Sequence, residues 1–480
     1  MSGESSLVER QFGHRARLAL TPAQIEILDG QGHAARALWN LLHNWWLMTP
    51  KCRRSLAAAD ATIREARKEI DWLGVLPAQA AQAVLKTYHR AWVSCWEGRA
   101  EAPVFKRRFR TVMSVDIPQG RDLHVVRVHR RWGMVNIPKL GRVRFRWTRD
   151  LPVGKHTKHN RITGARVVKD TLGWHIAFRV ETMAPAPAPH TGPQVGIDAG
   201  VNIPLALSDG NHQDHGRPPR LADGTADRDK WLNPKEKARL LALEHRAAHR
   251  KSFRGSGERT SRRLQRTYDQ IARLRATAKR RAIDWQHKTT TTLARQYGTI
   301  VVEKLDICSM VTSARGTIDN PGTNVAQKAG LNRSISQEAW GRTVTMLAYK
   351  TARYGGALHK VPARGTSQAC HVCHTTTPKS REDQARFVCK NTRCGWSGNA
   401  DRNAACNVLW LYRTDHGSSR LLEEQSSDAH HVASNLPPQG RQESPPSGGE
   451  SFKSTTATFP PVLDPPAPGW PWHQGGKRQG

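Results

Sequence analysis

Four cysteines and three carboxylates are the residues of this chain best placed to do chemistry. Cys370-x2-Cys373 and Cys389-x4-Cys394 form two cysteine knuckles separated by 15 residues. Each knuckle can offer two thiolates to one cation, and two knuckles complete a tetrahedron. Gly395 follows the last cysteine, where such a turn needs backbone freedom. The competing reading, disulfides, belongs to oxidising compartments. Four sulfurs fill a zinc shell, so one structural Zn²⁺ is expected, with Cys370, Cys373, Cys389 and Cys394 as its ligands. His371 and His374, at the first knuckle, are then expected to be surface residues.

Asp198 ends the stretch Gln194-Val195-Gly196-Ile197 and precedes Ala199-Gly200; alone it would read as a turn former. Glu303 follows Thr299-Ile300-Val301-Val302, and a carboxylate at the end of such an apolar strand is costly unless paired or metal-bound. Asp306, past the strand, reads as a turn or cap residue. Asp401 opens the helical run to Leu409, where capping would suffice as its reason. Together the three make more sense than apart. Two neighbouring strands and a helix start can bring Asp198, Glu303 and Asp401 to one point, as catalytic residues and ligands for Mg²⁺. Hard Mg²⁺ ions take oxygen ligands, and two of them about 4 Å apart clamp the attacking and leaving oxygens of an in-line phosphoryl displacement. No Ser-His-Asp or P-loop pattern competes.

The elements that must position these groups can be read next. His14 to Leu20 alternates as a strand and runs into Thr21-Pro22-Ala23-Gln24, a cap, a first-turn proline and a closing Gln. A helix follows to about Met48, with Leu38, Leu41, Leu42 and Trp45 at helical spacing. Residues 54–70 and 77–98 also read as helices. From Ser114 to Val180 the chain is β-rich, with strands expected over Arg127–Ile137 and Trp174–Val180. In Val143-Arg144-Phe145-Arg146-Trp147 one face is apolar and the other cationic. Ala184 to Pro189 alternates Ala and Pro, too Pro-rich for helix or sheet, and predicts a stiff linker. Beyond it, Val195–Ser208 reads as strand, turn and strand. Pro234 to about Tyr297 reads as a basic helical hairpin broken near Gly255-Ser256-Gly257. Thr299–Glu303 reads as a short buried strand, and Ser334–Tyr354 and Asp401–Leu411 as helices. From about Asp415 the chain is rich in Ser, Pro, Gly and Gln and has too few aliphatics to order itself.

Composition limits the function. The chain has 75 Lys+Arg against 40 Asp+Glu, a formal +35 over 480 residues. That charge would strain a compact core unless a polyanion neutralised it, and nucleic acid is the obvious one. Arg259, Arg262, Arg263, Arg266, Arg273, Lys279, Arg280 and Arg281 of the hairpin are candidate nucleic-acid contacts; a merely solvated helix face is the plainer alternative. Of the 16 tryptophans, Trp45 and Trp285 are expected in cores rather than stacked on bases. Eight cysteines are too few for a disulfide scaffold. No run of 18 apolar residues exists and the start has no signal-peptide core, so a cytoplasmic, nucleoid-associated protein with no membrane partner is expected.

The motifs, in this order, resemble the TnpB family carried by bacterial insertion sequences, and so the small type V CRISPR effectors related to it. Val195-Gly196-Ile197-Asp198-Ala199-Gly200 is similar to the first RuvC motif and Ile300-Val301-Val302-Glu303-Lys304-Leu305 to the second. Leu331 to Ile335, Trp340-Gly341 and Tyr349-Lys350 resemble the helix before the ribbon. Thr366 to Cys370, Cys394-Gly395 and Asp401 to Ala405 resemble the ribbon and third RuvC motif. Leu18–Gln24, Gly98-Arg99 and Pro103 to Lys106 extend the likeness to about residues 12–412. Gly365 departs from it, standing where many relatives have an aromatic residue.

The resemblance implies a multidomain α+β fold. Residues 1–34 and 111–183 would form a β-barrel-like wedge domain, with 35–110 inserted as a helical recognition lobe. After a linker at 184–192, residues 193–365 and 401–413 would form a RuvC/RNase H-like α/β nuclease core, with the zinc ribbon inserted at 366–400 and a disordered tail at 414–480. It also implies an Mg-dependent endonuclease, working as a monomer with a guide RNA from the element's own end. It would cut double-stranded DNA next to a short motif. Two rivals remain: a strand-transferring RNase H-like transposase, and a non-cleaving nucleic-acid-binding repressor. The second would be signalled by loss of an acid, and none is lost.

Overall fold

The computed structural model describes residues 7–107, 111–153, 160–217, 227, 229–255, 257–317, 320–383 and 385–429. Its first half is a seven-stranded antiparallel sheet with three helices. The strands are β1 (Leu7–Ala19), β2 (Ser114–Ile117), β3 (Val126–His129), β4 (Trp132–Ile137), β5 (Gly141–Arg146), β6 (Asn160–Asp170) and β7 (Gly173–Pro185), in the order β2-β6-β7-β1-β5-β4-β3. Val143 and Phe145 of β5 are buried while Arg142, Arg144 and Arg146 are exposed, as the alternation requires. The sheet wraps one core containing Phe145, Ile176, Phe178 and Leu28.

The helices are α1 (Pro22–Met48), α2 (Leu56–Glu69) and α3 (Ala78–Trp96). Thr21 and Gln24 close a capping box at the start of α1, and Pro22 takes the first turn. The expected boundary at 34/35 falls inside α1. Leu28 packs in the sheet core, whereas Ala34, Leu38 and Leu42 pack with α2 and α3. One apolar stripe serves two cores, so no break is needed between them. Trp45 packs against the helical core, while Leu41 is 39% exposed.

Two further expectations are corrected. The stretch Arg127–Ile137 is a hairpin, β3 and β4, with a register shift between Arg127 and His129. The Pro-rich segment begins within β7, where Ala184 and Pro185 still pair with Val8 and Leu7. Proline lacks an N–H, which a strand's last residue can do without.

The second half is built on a five-stranded sheet, β10-β9-β8-β11-β12, formed by β8 (Gln194–Asp198), β9 (Leu205–Leu207), β10 (His212–Gln213), β11 (Thr299–Lys304) and β12 (Ala357–Pro362). Strands β8, β11 and β12 are parallel, and β9 runs antiparallel to β8. The basic hairpin is α4 (Pro234–Ser252) and α5 (Arg262–Gln296); then come α6 (Ile307–Met310), α7 (Val325–Glu338) and α8 (Trp340–Arg353). The single helix expected over Ser334–Tyr354 is in fact broken at Ala339, which is left-handed (φ 51°). Asp306 caps α6 through Ser309 N. Leu293, Tyr297 and Leu347 join the sheet core. A two-stranded ribbon, β13 (Arg386–Val388) and β14 (Ser397–Asn399), leads into α9 (Ala400–Ala429). A Cβ on Gly196 would lie 2.2 Å from Ala405 O, so α9 lies directly on β8 at a glycine.

The tail expected from residue 414 instead begins inside α9, which continues to Ala429; the rest of it, 430–480, lies outside the described residues. The first of two compact units ends at Ser418. Among the described residues no helix is long and apolar enough to cross a membrane.

Candidate active site and metal centres

Parallel pairing of β8 with β11 sets Val195 beside Ile300 and Ile197 beside Val302. The next residue on each strand is an acid, so Asp198 and Glu303 are register neighbours at the same end of the sheet. Asp401 arrives from the first turn of α9. It does not serve as the cap. Asn399 does, its Oδ1 accepting from Asp401 N at 3.0 Å and Arg402 N at 2.9 Å. The carboxylate of Asp401 is left for another partner, Arg381, whose Nη2 lies 3.2 Å from Asp401 Oδ1.

Asp198 feels both of the other acids. Burial pushes Asp198 up to about 7, the neighbouring Glu303 and Asp401 carboxylates add to the rise, and Arg381 partly relieves it. Burial raises Glu303 as well, against a hydrogen bond from Thr366, and raises Asp401 against the pull of Arg381. Thr366 Oγ1 lies 2.5 Å from Glu303 Oε1 and 2.9 Å from Ala363 O, with one proton for the two acceptors. Like charges gathered out of water, with one guanidinium against three carboxylates, favour a bound cation.

The donor set fits Mg²⁺ in kind: hard oxygens, partly buried, with unspent negative charge. The three carboxylates do not close into a group within 4.8 Å; among the described residues only the four cysteines do. Two ions about 4 Å apart, each with bonds of about 2.1 Å, call for a wider spread of oxygens than one ion does.

The four cysteine sulfurs all lie within 4.8 Å of one another, with Cys370 to Cys394 at 3.8 Å and Cys373 to Cys389 at 3.6 Å. A tetrahedron with bonds of ~2.3 Å places its sulfurs about 3.8 Å apart. The spacing fits a zinc-sized ion. His371 and His374 lie outside the cluster: the first bonds Asn403 Oδ1 (3.0 Å) and packs edge-on to Trp396, and the second stacks on Trp410 (4.0 Å).

Three site-building residues were not singled out from the sequence. Arg381 sits in a polar ribbon loop and reads there as any surface arginine. Asn403 and Asn407, one turn apart on α9, bond Ala369 O, and Asn407 also bonds Thr366 O. They strap the first knuckle and the Thr366 turn to the helix that carries Asp401. Two asparagines at i, i+4 on a face otherwise of Ala and Val were a readable signal.

Of the eight basic candidates, Arg259, Arg262, Arg263, Arg266, Arg273, Lys279 and Arg280 are exposed. Arg281 is engaged: it pairs with Glu236 at 2.6 Å and donates to Trp231 O. Trp285 belongs to no apolar core among the described residues and lines an open cleft instead.

Comparison with known proteins places the same two regions in one lineage. Residues 177–314 match the family model described as "Probable transposase", of the IS605 OrfB type, and residues 340–408 match the "Cas12f1-like, TNB domain" model. The first holds Asp198 and Glu303; the second holds the cysteines, Arg381 and Asp401. The chain is 31% identical over 341 residues to "Putative RNA-guided DNA endonuclease InsQ" of Escherichia coli K12, covering 71% of this chain and 76% of that protein. It is 27% identical to a "Putative RNA-guided DNA endonuclease" of Streptomyces pristinaespiralis, covering 74% and 77%. Among solved structures, a Cas12f1–sgRNA–target DNA complex matches with TM-score 0.47 at 14% identity, covering 82% of this chain and 83% of that one. Identity and coverage against the Escherichia coli relative settle the lineage: the chain belongs to the TnpB family.

Proposed function

We propose that the chain is an RNA-guided DNA endonuclease of a bacterial insertion sequence, cutting double-stranded DNA beside a short adjacent motif by two-metal phosphodiester hydrolysis. The observation that carries this reading is that Asp198 and Glu303 each follow the last register pair of β8 and β11, Ile197 with Val302, while Asp401, held by Arg381, adds to the electrostatic load on Asp198. The family's named relatives support the guide RNA and the DNA substrate.

Two Mg²⁺ ions at these carboxylates would activate the attacking water and stabilise the departing 3′ oxygen. The chain's own groups prepare the place. Asp198, the most buried of the three, anchors the site on the rigid sheet. Glu303 is oriented by the Thr366 hydroxyl, which leaves its other oxygen for the site. Arg381 holds Asp401 and would offer a substrate phosphate a guanidinium, which can bind two oxygens at once. The cysteine cluster would hold one structural zinc and so fix the loop bearing Arg381. Guide pairing would supply sequence reading, leaving the protein to grip backbone through the exposed Arg and Lys of α5. We assign residues 1–34 with 111–183 to a wedge role, 35–110 to a recognition role, and the active form to a monomer with its RNA.

The test is to purify the chain from cells carrying its genetic neighbourhood, sequence the RNA that comes with it, and offer DNA matching that RNA. A defined co-purifying RNA and Mg²⁺-dependent cleavage of matched DNA are expected. Strand joining of element ends without guide dependence would favour a transposase and defeat the proposal.

A further inference from the structure

A second concavity lies along α5 between Thr277 and Lys288 and uses none of the catalytic groups. It is an open cleft of about 600 Å³, within the ~300–1,000 Å³ range of ligand sites. Three rings cluster at it: His215 lies 4.9 Å from Trp231 and 5.2 Å from Trp285. Trp231 is nearly buried and Trp285 half-buried. The cluster is fixed from within. His215 Nε2 lies 3.2 Å from Lys230 Nζ, and Lys230 pairs with Glu338 in a fully buried ion pair. The indole N–H of Trp231 is buried with no acceptor among the described residues.

The charges around these rings are cationic. Arg217 donates to Lys230 O at 2.9 Å and lies over the Trp231 ring. Arg281 is held by Trp231 O and Glu236. Arg280 and Lys288 are exposed on α5, and the one acid of the lining, Asp284, is paired with Lys288 at 2.7 Å. Guanidiniums already tied down lose little freedom when they bind. A free anion would not need the aromatic wall, and an apolar ligand would not need the cations. An unpaired nucleotide needs both, a π-face for its base and cations for its phosphate.

We propose that this cleft binds one unpaired nucleotide, with its base against Trp285 and its phosphate on Arg280. The proposal rests on the nucleic-acid reading above and adds a site to it. The nucleotide can come from the RNA carried by the protein or from a DNA strand opened by it, and the chemistry is shared.

The experiment uses the whole chain with the RNA that co-purifies with it. In one arm the RNA carries 4-thiouridine; in the other, matched DNA carries 4-thiothymidine. After irradiation, trypsin releases Ala282–Lys288, which contains Trp285. A nucleotide adduct on this peptide is expected, and the arm that gives it names the source. In Arg280→Glu, an exposed position that folding does not need, the adduct should fall at least about five-fold, in line with the loss of a backbone contact beside one stacked base. Adducts elsewhere on the chain but none on this peptide would overturn the site while leaving the nucleic-acid reading intact. So would an adduct unchanged in Arg280→Glu. No nucleic acid on the protein at all would overturn both.

Discussion

Asp198 is held where ionisation is expensive. Folding raises its pKa from the ordinary carboxylate range to about 7, so between these limits the folded, metal-free protein binds more protons than the unfolded chain. Stability without metal therefore falls as pH rises from about 4 to about 7 and levels off above that. A divalent cation reverses the trend by binding the ionised site. Thermal melts at pH 5 and pH 8, with and without Mg²⁺, should show a clear Mg²⁺ stabilisation only at pH 8. The Mg²⁺ needed for half-maximal cleavage should rise steeply as pH drops below about 7. Arg381 lowers Asp198, so Arg381→Ala should move the acid limb of the cleavage profile to higher pH. A limb that stays put would limit Arg381 to shaping the loop. Asp198→Ala, Glu303→Ala and Asp401→Ala should each abolish cleavage, by orders of magnitude in a gel assay, with RNA binding nearly intact. Near wild-type cleavage in any one would end the triad assignment. The acids stand out in the sequence because each closes an apolar strand or opens a helix, contexts where a carboxylate needs a reason. Arg381 could not, because nothing local distinguishes it from its basic neighbours.

Two elements bring distant parts of the chain to the site. The ribbon supplies Arg381 and, through Asn399, the cap of α9, yet its own apolar core is little more than Phe387, Ala400 and the cysteines. With zinc on its four cysteines, a unit that small would draw folding free energy from the metal. Metal analysis should find one zinc in the wild type and none in Cys389→Ser, which should lose cleavage as well. Normal activity in a zinc-free protein would refute that dependence. The turn at Ala339 between α7 and α8 is the second element. There Glu338 meets Lys230, from the segment before α4, both side chains 1% exposed. Lys230→Met leaves the buried Glu338 carboxylate with only the His215 ring beside it, at 3.5 Å, and should cost ~3–5 kcal/mol in denaturant unfolding, while Lys230→Met with Glu338→Leu should recover most of it. Equal losses in both would mean that the pair is not what holds the turn. The α4–α5 hairpin was legible because Gly255-Ser256-Gly257 interrupts a long helical pattern. The break at Ala339 was not, since the nearby Gly341 lies within α8 and an alanine gives no sign of a left-handed backbone. The extent of β7 was missed because its partner β1 carries it to Pro185 despite the composition.

At the scale of the whole molecule the charge is divided unevenly, and the last prediction depends on that division. From Ser419 on there are five Lys and Arg against six Asp and Glu, so the entire excess of +35 lies within Met1–Ser418, the first compact unit. Phosphate attraction, which dominates nucleic-acid affinity and its salt dependence, follows those cations. The acids, Arg381 and the four cysteines lie in the same unit, and the last described apolar contacts of α9 are those of Val408, Leu409, Leu411 and Tyr412. Deleting the chain after Ser418 shortens α9 beyond those contacts. The truncated protein should fold, keep RNA affinity and its salt slope, and cleave matched DNA within a few-fold of the intact chain. Trp470 and Trp472, flanked by prolines, are the residues outside that unit most able to dock on a partner. Should the truncated protein bind RNA normally yet lose cleavage by orders of magnitude, the segment after Ser418 would belong to the catalytic machine, and restoring Trp470 and Trp472 in a short C-terminal piece would show whether they are the part that matters.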